Sequence, residues 1–336
     1  MRFFIGVLLI LVACAGCGRS TEPTGHEPIH VSFLDNESVL DSTAKFLKHS
    51  GCNEDGVFSF VKAVKAYNST PLQVDLSGFP HAVQGVFTFQ SVTQLVGALH
   101  HKLRDTPHAF EINCYDTVFD LTEGQFKSAL KPDDVFGLSL APALVTNGQW
   151  SCFPTATARD AFMWSCPLWY LNASNPFIPK SSANSRMNVI AALYGYYVLP
   201  LSTRNTELPH AVLETLRANW ERQRITFPTA SEVVLCHGVD LTRHAALTLH
   251  AGLLFRRERG YTYVEKDSGS GPFVRLDFET ERALLPWLAS KVDRYDEGPQ
   301  EFFATFNNTR IVELNVSASS AAVLSQANQP MQPTPR

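Results

Sequence analysis

The stretch that most restricts how this chain can fold is TLHAGLLFRRERGYTYVEKDSGSGPFVRLDF, residues 248–278. Three apolar runs of strand length are separated by two short polar connections that contain glycine. Connections this short cannot carry a parallel crossover, so the runs must lie side by side as an antiparallel meander. With Arg257-Glu258-Arg259-Gly260 as the first turn, Arg256 pairs with Tyr261, Phe255 with Thr262, Gly252 with Glu265 and His250 with Asp267. Alternation then places Leu249, Ala251, Leu253 and Phe255 on one face and His250, Gly252 and Leu254 on the other. Changing the loop symmetrically by two residues preserves this parity, whereas a one-residue slip reverses it. His250 thus lies diagonal to Glu265 and directly opposite Asp267. Either carboxylate can accept a hydrogen bond from the imidazole, with no side chain at Gly252 to obstruct it.

The rest of the final third continues in this style. EFFATFNNTRIVELNV reads as a hairpin turning at Asn307-Asn308, and a helical piece from Glu279 to Val292 is kinked or shortened by Pro286. Upstream the period is helical in ESVLDSTAKFLKHSG, which Gly51 stops, and in EDGVFSFVKAVKAY and QSVTQLVGALHHKLRD. PLQVDLSGF and AVQGVFTF alternate between them as a short hairpin or arm. NVIAALYGYYVL and PHAVLETLRANWERQR also read as helices. Helices first, then an antiparallel sheet, define an α+β class. A single domain is expected over residues 31–316, with an insertion at about 130–188 that is rich in Pro, Ser, Asn and Trp.

At the start, MRFFIGVLLILVACAGC has one positive charge and then an apolar run too short to span a bilayer, as in a signal peptide. Leu11-Val12-Ala13-Cys14 resembles the lipobox of bacterial lipoproteins. That resemblance implies cleavage after residue 13 and acyl chains, palmitate among them, on Cys14. Cys17 is the alternative, but it would put Cys14 where the pattern wants a leucine-like residue. An ordinary signal peptide or an uncleaved anchor is the plainer reading. Residues 14–30 read as a flexible tether and residues 317–336 as a disordered tail. The expected place is therefore the bacterial cell envelope, with the protein exported and held to a membrane through its lipid. A net charge of −4 on 18% charged residues gives no basic surface for nucleic acid.

Seven cysteines are present. Cys52, Cys152, Cys166 and Cys236 are candidates for pairing in an oxidising envelope, and Cys152 with Cys166 closes the shortest loop among them. The sequence does not fix the connectivity. There is no C-x-x-C and no H-E-x-x-H, and Cys236, His237, His244 and His250 match no common zinc spacing, so no metal and no cofactor are expected. DSGSG lacks the lysine of a P-loop and is not G-x-S-x-G; it reads as a connector.

Cys114 is the remaining chemical question. Ala109–Asn113 alternates like a strand and hands over at Cys114 to a helical stretch that reaches about Phe126. A thiol there is buried filler, half of a disulfide or a nucleophile. A helix N-terminus favours the thiolate through its unpaired N–H groups and dipole, and a histidine oriented by a carboxylate supplies the base that such a nucleophile needs. Asn113-Cys114 opening a helix, followed by HAGLLF, a turn and YVEK, resembles the papain-like fold of NlpC-type cell-wall peptidases. YVEKDSGSGPFVRLDF is also similar to a stretch in a family of uncharacterised bacterial lipoproteins. The resemblance implies a triad of Cys114, His250 and Glu265, with Asp267 the alternative to Glu265. It implies an oxyanion hole at the Cys114 backbone N–H, to which His108 is a further candidate, although a surface histidine is the plainer reading there. The implied activity is that of an envelope thiol hydrolase cleaving an amide, such as a peptidoglycan stem peptide. Two features depart from the family: bulky Tyr115 follows the cysteine, and the interval to His250 is long. The alternative is a non-catalytic envelope lipoprotein that uses the same fold to bind a ligand or protein partner.

Overall fold

A computed structural model describes residues 28–69, 82–89, 114–129, 196–198, 207–240, 245–267, 271–292 and 300–315. Its centre is a ten-stranded antiparallel sheet. The middle of the sheet is β7 (Glu232–Asp240), β8 (Ala245–Arg256), β9 (Tyr261–Lys266) and β10 (Phe273–Phe278), paired in that order. β11 (Gln300–Phe306) and β12 (Arg310–Glu313) extend it beyond β7. β1 (Ile29–Ser32), β3 (Val86–Phe89) and β2 (Ala82–Val83) extend it beyond β10, and β5 (Tyr196–Val198) pairs with the start of β8. β4 (Lys127–Ser128) and β6 (Ile225–Thr226) form a separate small ladder.

Helices cover both faces. α1 (Glu37–His49), α2 (Glu54–Asn68), α3 (Cys114–Leu121) and α4 (Leu208–Arg222) share a core with Val233, Leu235, Ala251, Leu253, Phe255 and Val264. On the opposite face α5 (Leu285–Val292) packs Trp287 and Leu288 among Val234, Cys236, Leu254, Tyr263 and Leu276. A sheet buried on both sides explains why β7 reads VVLC, with no polar alternation. It also explains why β7 was not recognisable as a strand from its period.

Local signals set the helix ends. The Asn36 side chain accepts from the Val39 N–H at 3.2 Å to start α1, and Gly51 at φ 88° lets the chain leave it. Asn53 caps α2 by accepting from the Asp55 N–H. Pro286 sits in the first turn of α5, where its missing N–H costs nothing, behind a 3₁₀ turn over Glu281–Leu284. AVQGVFTF is a complete hairpin, with Gln84 and Gly85 both at positive φ (53° and 81°).

Several expectations need correction. The sheet begins at Ile29, inside the stretch read as tether, and β1 lies between β10 and β3, so helices do not come first. Tyr196–Val198 is a strand, not helix. α3 ends at Leu121 rather than near Phe126. The β8–β9 register is the expected one from Arg256↔Tyr261 to Leu253↔Val264. Against β7, however, Cys236 pairs with His250 while His237 pairs with Thr248, so Leu249 is an extra residue in a β-bulge. Leu249 therefore packs with the α5 layer and not with Ala251, Leu253 and Phe255. The signal peptide, Cys14, Cys17, His108, the strand over residues 109–113, the helix over residues 90–105, the insertion with Cys152 and Cys166, His244 and the tail lie outside the described residues.

Candidate active site

The bulge at Leu249 and His250 is the pivot of the site. Bulges bend a strand and re-aim the side chains beside them, and this one comes just past the last regular rung between β8 and β9. The His250 Nε2 lies 2.6 Å from the Glu265 Oε2, with both side chains buried. The carboxylate on the imidazole is thus Glu265, the diagonal partner. Asp267, the alternative, is paired with Lys291 of α5.

Glu265 is itself held from above. Its Oε1 accepts from the Trp287 Nε1 at 2.8 Å and lies 3.0 Å from the Lys291 Nζ. Trp287 and Lys291 are four residues apart on α5 and so share one helix face, and the Lys291 ammonium stands 3.6 Å from the Trp287 ring centroid. Burial by itself would raise the Glu265 pKa, but Lys291 and then His250 outweigh it and hold the carboxyl down at about 2. The Tyr263 hydroxyl fills the space that Gly252 leaves open, since a Cβ there would sit 2.1 Å from it. Burial and then the Glu265 charge push that hydroxyl well above its usual range. The glycine accommodates the tyrosine that packs beside Glu265, a role not visible in the sequence.

Cys114 opens α3, all eight residues of which are buried. It is one of the groups that raise the pKa of the His250 imidazole. Burial alone would lower the His250 pKa, but the Glu265 charge, the Cys114 charge and hydrogen bonds to both raise it to about 9. With Nε2 occupied by Glu265, Nδ1 is the ring nitrogen left to exchange a proton with the thiol. Tyr115 is turned inward and donates from its hydroxyl to the Thr248 carbonyl at 3.2 Å, so the residue after the cysteine ties α3 to the strand carrying His250. A Cβ on Gly56 would lie 1.9 Å from the Asp120 carbonyl oxygen, so α2 and α3 touch backbone to backbone at that point.

Cys52, Cys114 and Cys236 are all free. Burial pushes Cys52 up to about 12, and burial followed by the Glu265 and Cys114 charges pushes Cys236 well above the usual thiol range. His237 lies between Thr305 (2.9 Å) and Thr248 (3.1 Å), and burial lowers its pKa to about 3. It is a neutral core histidine, and no group of three or more potential metal ligands occurs among the described residues.

A groove of about 960 Å³ lies at the turn end of β8 and β9, lined by Arg256, Tyr261, Glu232, Glu281 and Arg310 among others; none of Cys114, His250 and Glu265 lines it. No protein-family model, curated protein or solved structure shows a significant match to this chain. Sequence reasoning missed the role of Tyr263 on β9, and it missed Trp287 and Lys291, which come from α5, an element with no motif of its own. The i, i+4 spacing of Trp287 and Lys291 was a trace of them, but only the packing of α5 on the sheet gives it meaning.

Proposed function

We propose that this protein is an envelope thiol hydrolase of papain-like fold, tethered to the membrane by a lipid on Cys14. The observation that carries the reading is the buried imidazole of His250, held by a fixed carboxylate at 2.6 Å and influenced by Cys114 at the start of α3. The Cys114 sulfur attacks an amide carbonyl, forming the C–S bond while the carbonyl π electrons move onto oxygen. The N–H groups at the start of α3, that of Cys114 first, receive the oxyanion. His250 carries the thiol proton and delivers it to the leaving amine as the C–N bond breaks. Water, deprotonated by His250, then splits the thioester and restores the thiol. Glu265 keeps the ring in one tautomer and supports its positive charge, and Lys291 and Trp287 keep Glu265 ionised and oriented. No step calls for a cofactor. An amide of the envelope, such as a peptidoglycan stem peptide, fits the proposed location.

The test is labelling of the full chain by an uncharged thiol-directed electrophile at neutral pH. Wild type should label at Cys114, and both Cys114→Ala and His250→Ala should lose that label. Equal labelling of Cys114 in wild type and His250→Ala would overturn the hydrolase reading. In the same cells, Cys14→Ala should move the protein out of the membrane fraction; unchanged fractionation would remove the lipid anchor from the proposal.

A further inference from the structure

The groove at the turn end of β8 and β9 is built apart from Cys114, His250 and Glu265. The sheet brings a strip of its side chains together: Glu232 on β7 is opposite Leu254 on β8, and Arg256 on β8 is opposite Tyr261 on β9. Two connections form walls, and both are fixed. The Asn307 side chain donates to the Pro228 carbonyl at 3.2 Å and accepts from the Val233 N–H at 2.7 Å, which sets the loop over residues 227–231. Arg217 of α4 donates to the Asn308 and Thr309 carbonyls, each at 2.7 Å, and clamps the β11–β12 turn. Arg310 bridges two of the lining carboxylates. Its Nη2 lies 2.9 Å from the Glu232 Oε2 and 2.8 Å from the Glu281 Oε2, and its Nη1 donates to the Glu281 Oε1. The same guanidinium stands 3.7 Å from the Phe306 ring centroid. Tyr261 is stacked on Phe278, with ring centroids 5.9 Å apart and planes at 16°. The groove therefore has its shape before any ligand arrives, as small-molecule sites commonly do.

We propose that this groove binds a neutral oligosaccharide, with the Tyr261 ring as its stacking platform and the Glu232 and Glu281 carboxylates as acceptors for its hydroxyl groups. Its volume of about 960 Å³ is at the upper end of the range for small-molecule sites, about 300–1,000 Å³, which leaves room for more than one sugar ring. The charged lining residues are Glu232, Glu281, Arg256 and Arg310, whose charges balance, so an ionic ligand gains no net attraction. A carboxylate has about four lone-pair sites, and one guanidinium cannot fill those of two. Hydroxyl donors suit the remainder, because O–H to carboxylate bonds are charge-assisted. Thr226, Thr229 and Asn308 add exposed polar groups, and Leu254 and Pro228 add apolar surface. The electron-rich face of Tyr261 matches the electropositive C–H face of a pyranose. A peptide strand fits less well, because it needs backbone partners. Along these walls the carbonyls of Pro228, Asn308 and Thr309 already accept from Asn307 and Arg217. Leu254 and Arg256 lie four and six residues beyond His250 on β8, about 13–20 Å along the strand, so the sugar sits apart from the imidazole. The inference does not depend on the hydrolase reading.

The experiment titrates the full chain with chitotetraose, the tetramer of N-acetylglucosamine, with cellotetraose, and with tetra-alanine as the peptide control. At least one of the two sugars should shift the ring resonances of isotope-labelled Tyr261 saturably, with a Kd of about 1 mM or tighter. Tyr261→Ala should weaken that binding about tenfold, read by saturation transfer to the sugar, while Tyr261→Phe, which keeps the ring, should stay within about threefold of wild type. Should Tyr261→Ala fail to fold, wild type decides: NOEs should connect the sugar C–H protons to the Tyr261 ring. No saturable binding of either sugar up to about 10 mM would overturn the proposal. So would unchanged affinity in Tyr261→Ala, or binding in wild type without contacts to that ring. Tetra-alanine binding more tightly than both sugars would overturn it in favour of a peptide groove. None of these readouts uses the Cys114 thiol, so failure here and failure of the hydrolase reading are told apart by the labelling experiment above.

Discussion

The Glu265 carboxylate has two oxygens and three buried donors around them. One oxygen takes the His250 ring at 2.6 Å, and the other takes the Trp287 indole at 2.8 Å and the Lys291 ammonium at 3.0 Å. Nothing in this arrangement is free to rotate, so the charge that supports an imidazolium is fixed before substrate arrives. Replacing the carboxylate by its amide keeps the shape and removes the charge. Glu265→Gln should therefore slow labelling of Cys114 at neutral pH about tenfold or more, a tenfold change corresponding to about 1.4 kcal/mol. Rates within twofold of wild type would show that the carboxylate does not support the imidazolium. The His250–carboxylate contact was legible in the sequence because strand alternation is rigid: once the turn at residues 257–260 was set, only two carboxylates could reach the ring. The choice between them was not legible. It depended on Lys291, which takes up Asp267 from a helix that the local pattern does not connect to β9.

At the scale of elements, the position of Cys114 depends on how α3 is wedged in place. α3 is only eight residues long, too short to be a stable helix by itself, and owes its order to packing. It contacts α2 through the Gly56 and Asp120 backbones and β8 through the Tyr115 hydroxyl. A methyl group at Gly56 cannot fit 1.9 Å from a carbonyl oxygen, so one helix must move. Gly56→Ala should cost about 1–3 kcal/mol and also slow Cys114 labelling, although residue 56 touches none of the triad. Denaturant midpoints and labelling rates on the same sample test this. A loss of stability with an unchanged rate would mean that α3 keeps its place by other contacts. The same reasoning shows why Gly56 carries no sequence signal: a glycine inside a helical pattern reads as a weak point, and only the neighbouring helix makes it a requirement.

For the whole molecule, the buried titratable groups set how stability follows pH. Glu265 is lowered in the fold, so its contribution is present above the ordinary carboxylate range and is lost as the pH falls toward about 2. His237 is also lowered, to about 3, so its contribution is present above its ordinary value and is likewise lost as acid protonates the unfolded chain first. His250 runs the other way: its contribution is complete below the ordinary histidine value and is lost as the pH rises through about 9. Lys266 is lowered to about 7, and its burial costs less as the pH climbs from there toward the ordinary lysine value, which offsets His250. Urea midpoints should therefore drop steeply from pH 6.5 to pH 4, at up to about 1.4 kcal/mol per pH unit for each group involved, and change little between pH 6.5 and pH 9. A steep loss on the alkaline side alone would contradict these assignments. The sequence by itself determined the α+β class, the meander from β8 to β10, the β8–β9 register next to its turn, and the pairing of a histidine with a carboxylate, because all of these follow from alternation and turn length between neighbouring segments. Only the tertiary structure decided the bulge that aims His250, the strand character of β1, β5 and β7, and the meeting of Cys114 with His250. It also decided that Lys291 and Trp287 hold Glu265. Those features depend on which distant surfaces are pressed together, and burial on both faces of a sheet removes the local period from which they could have been read.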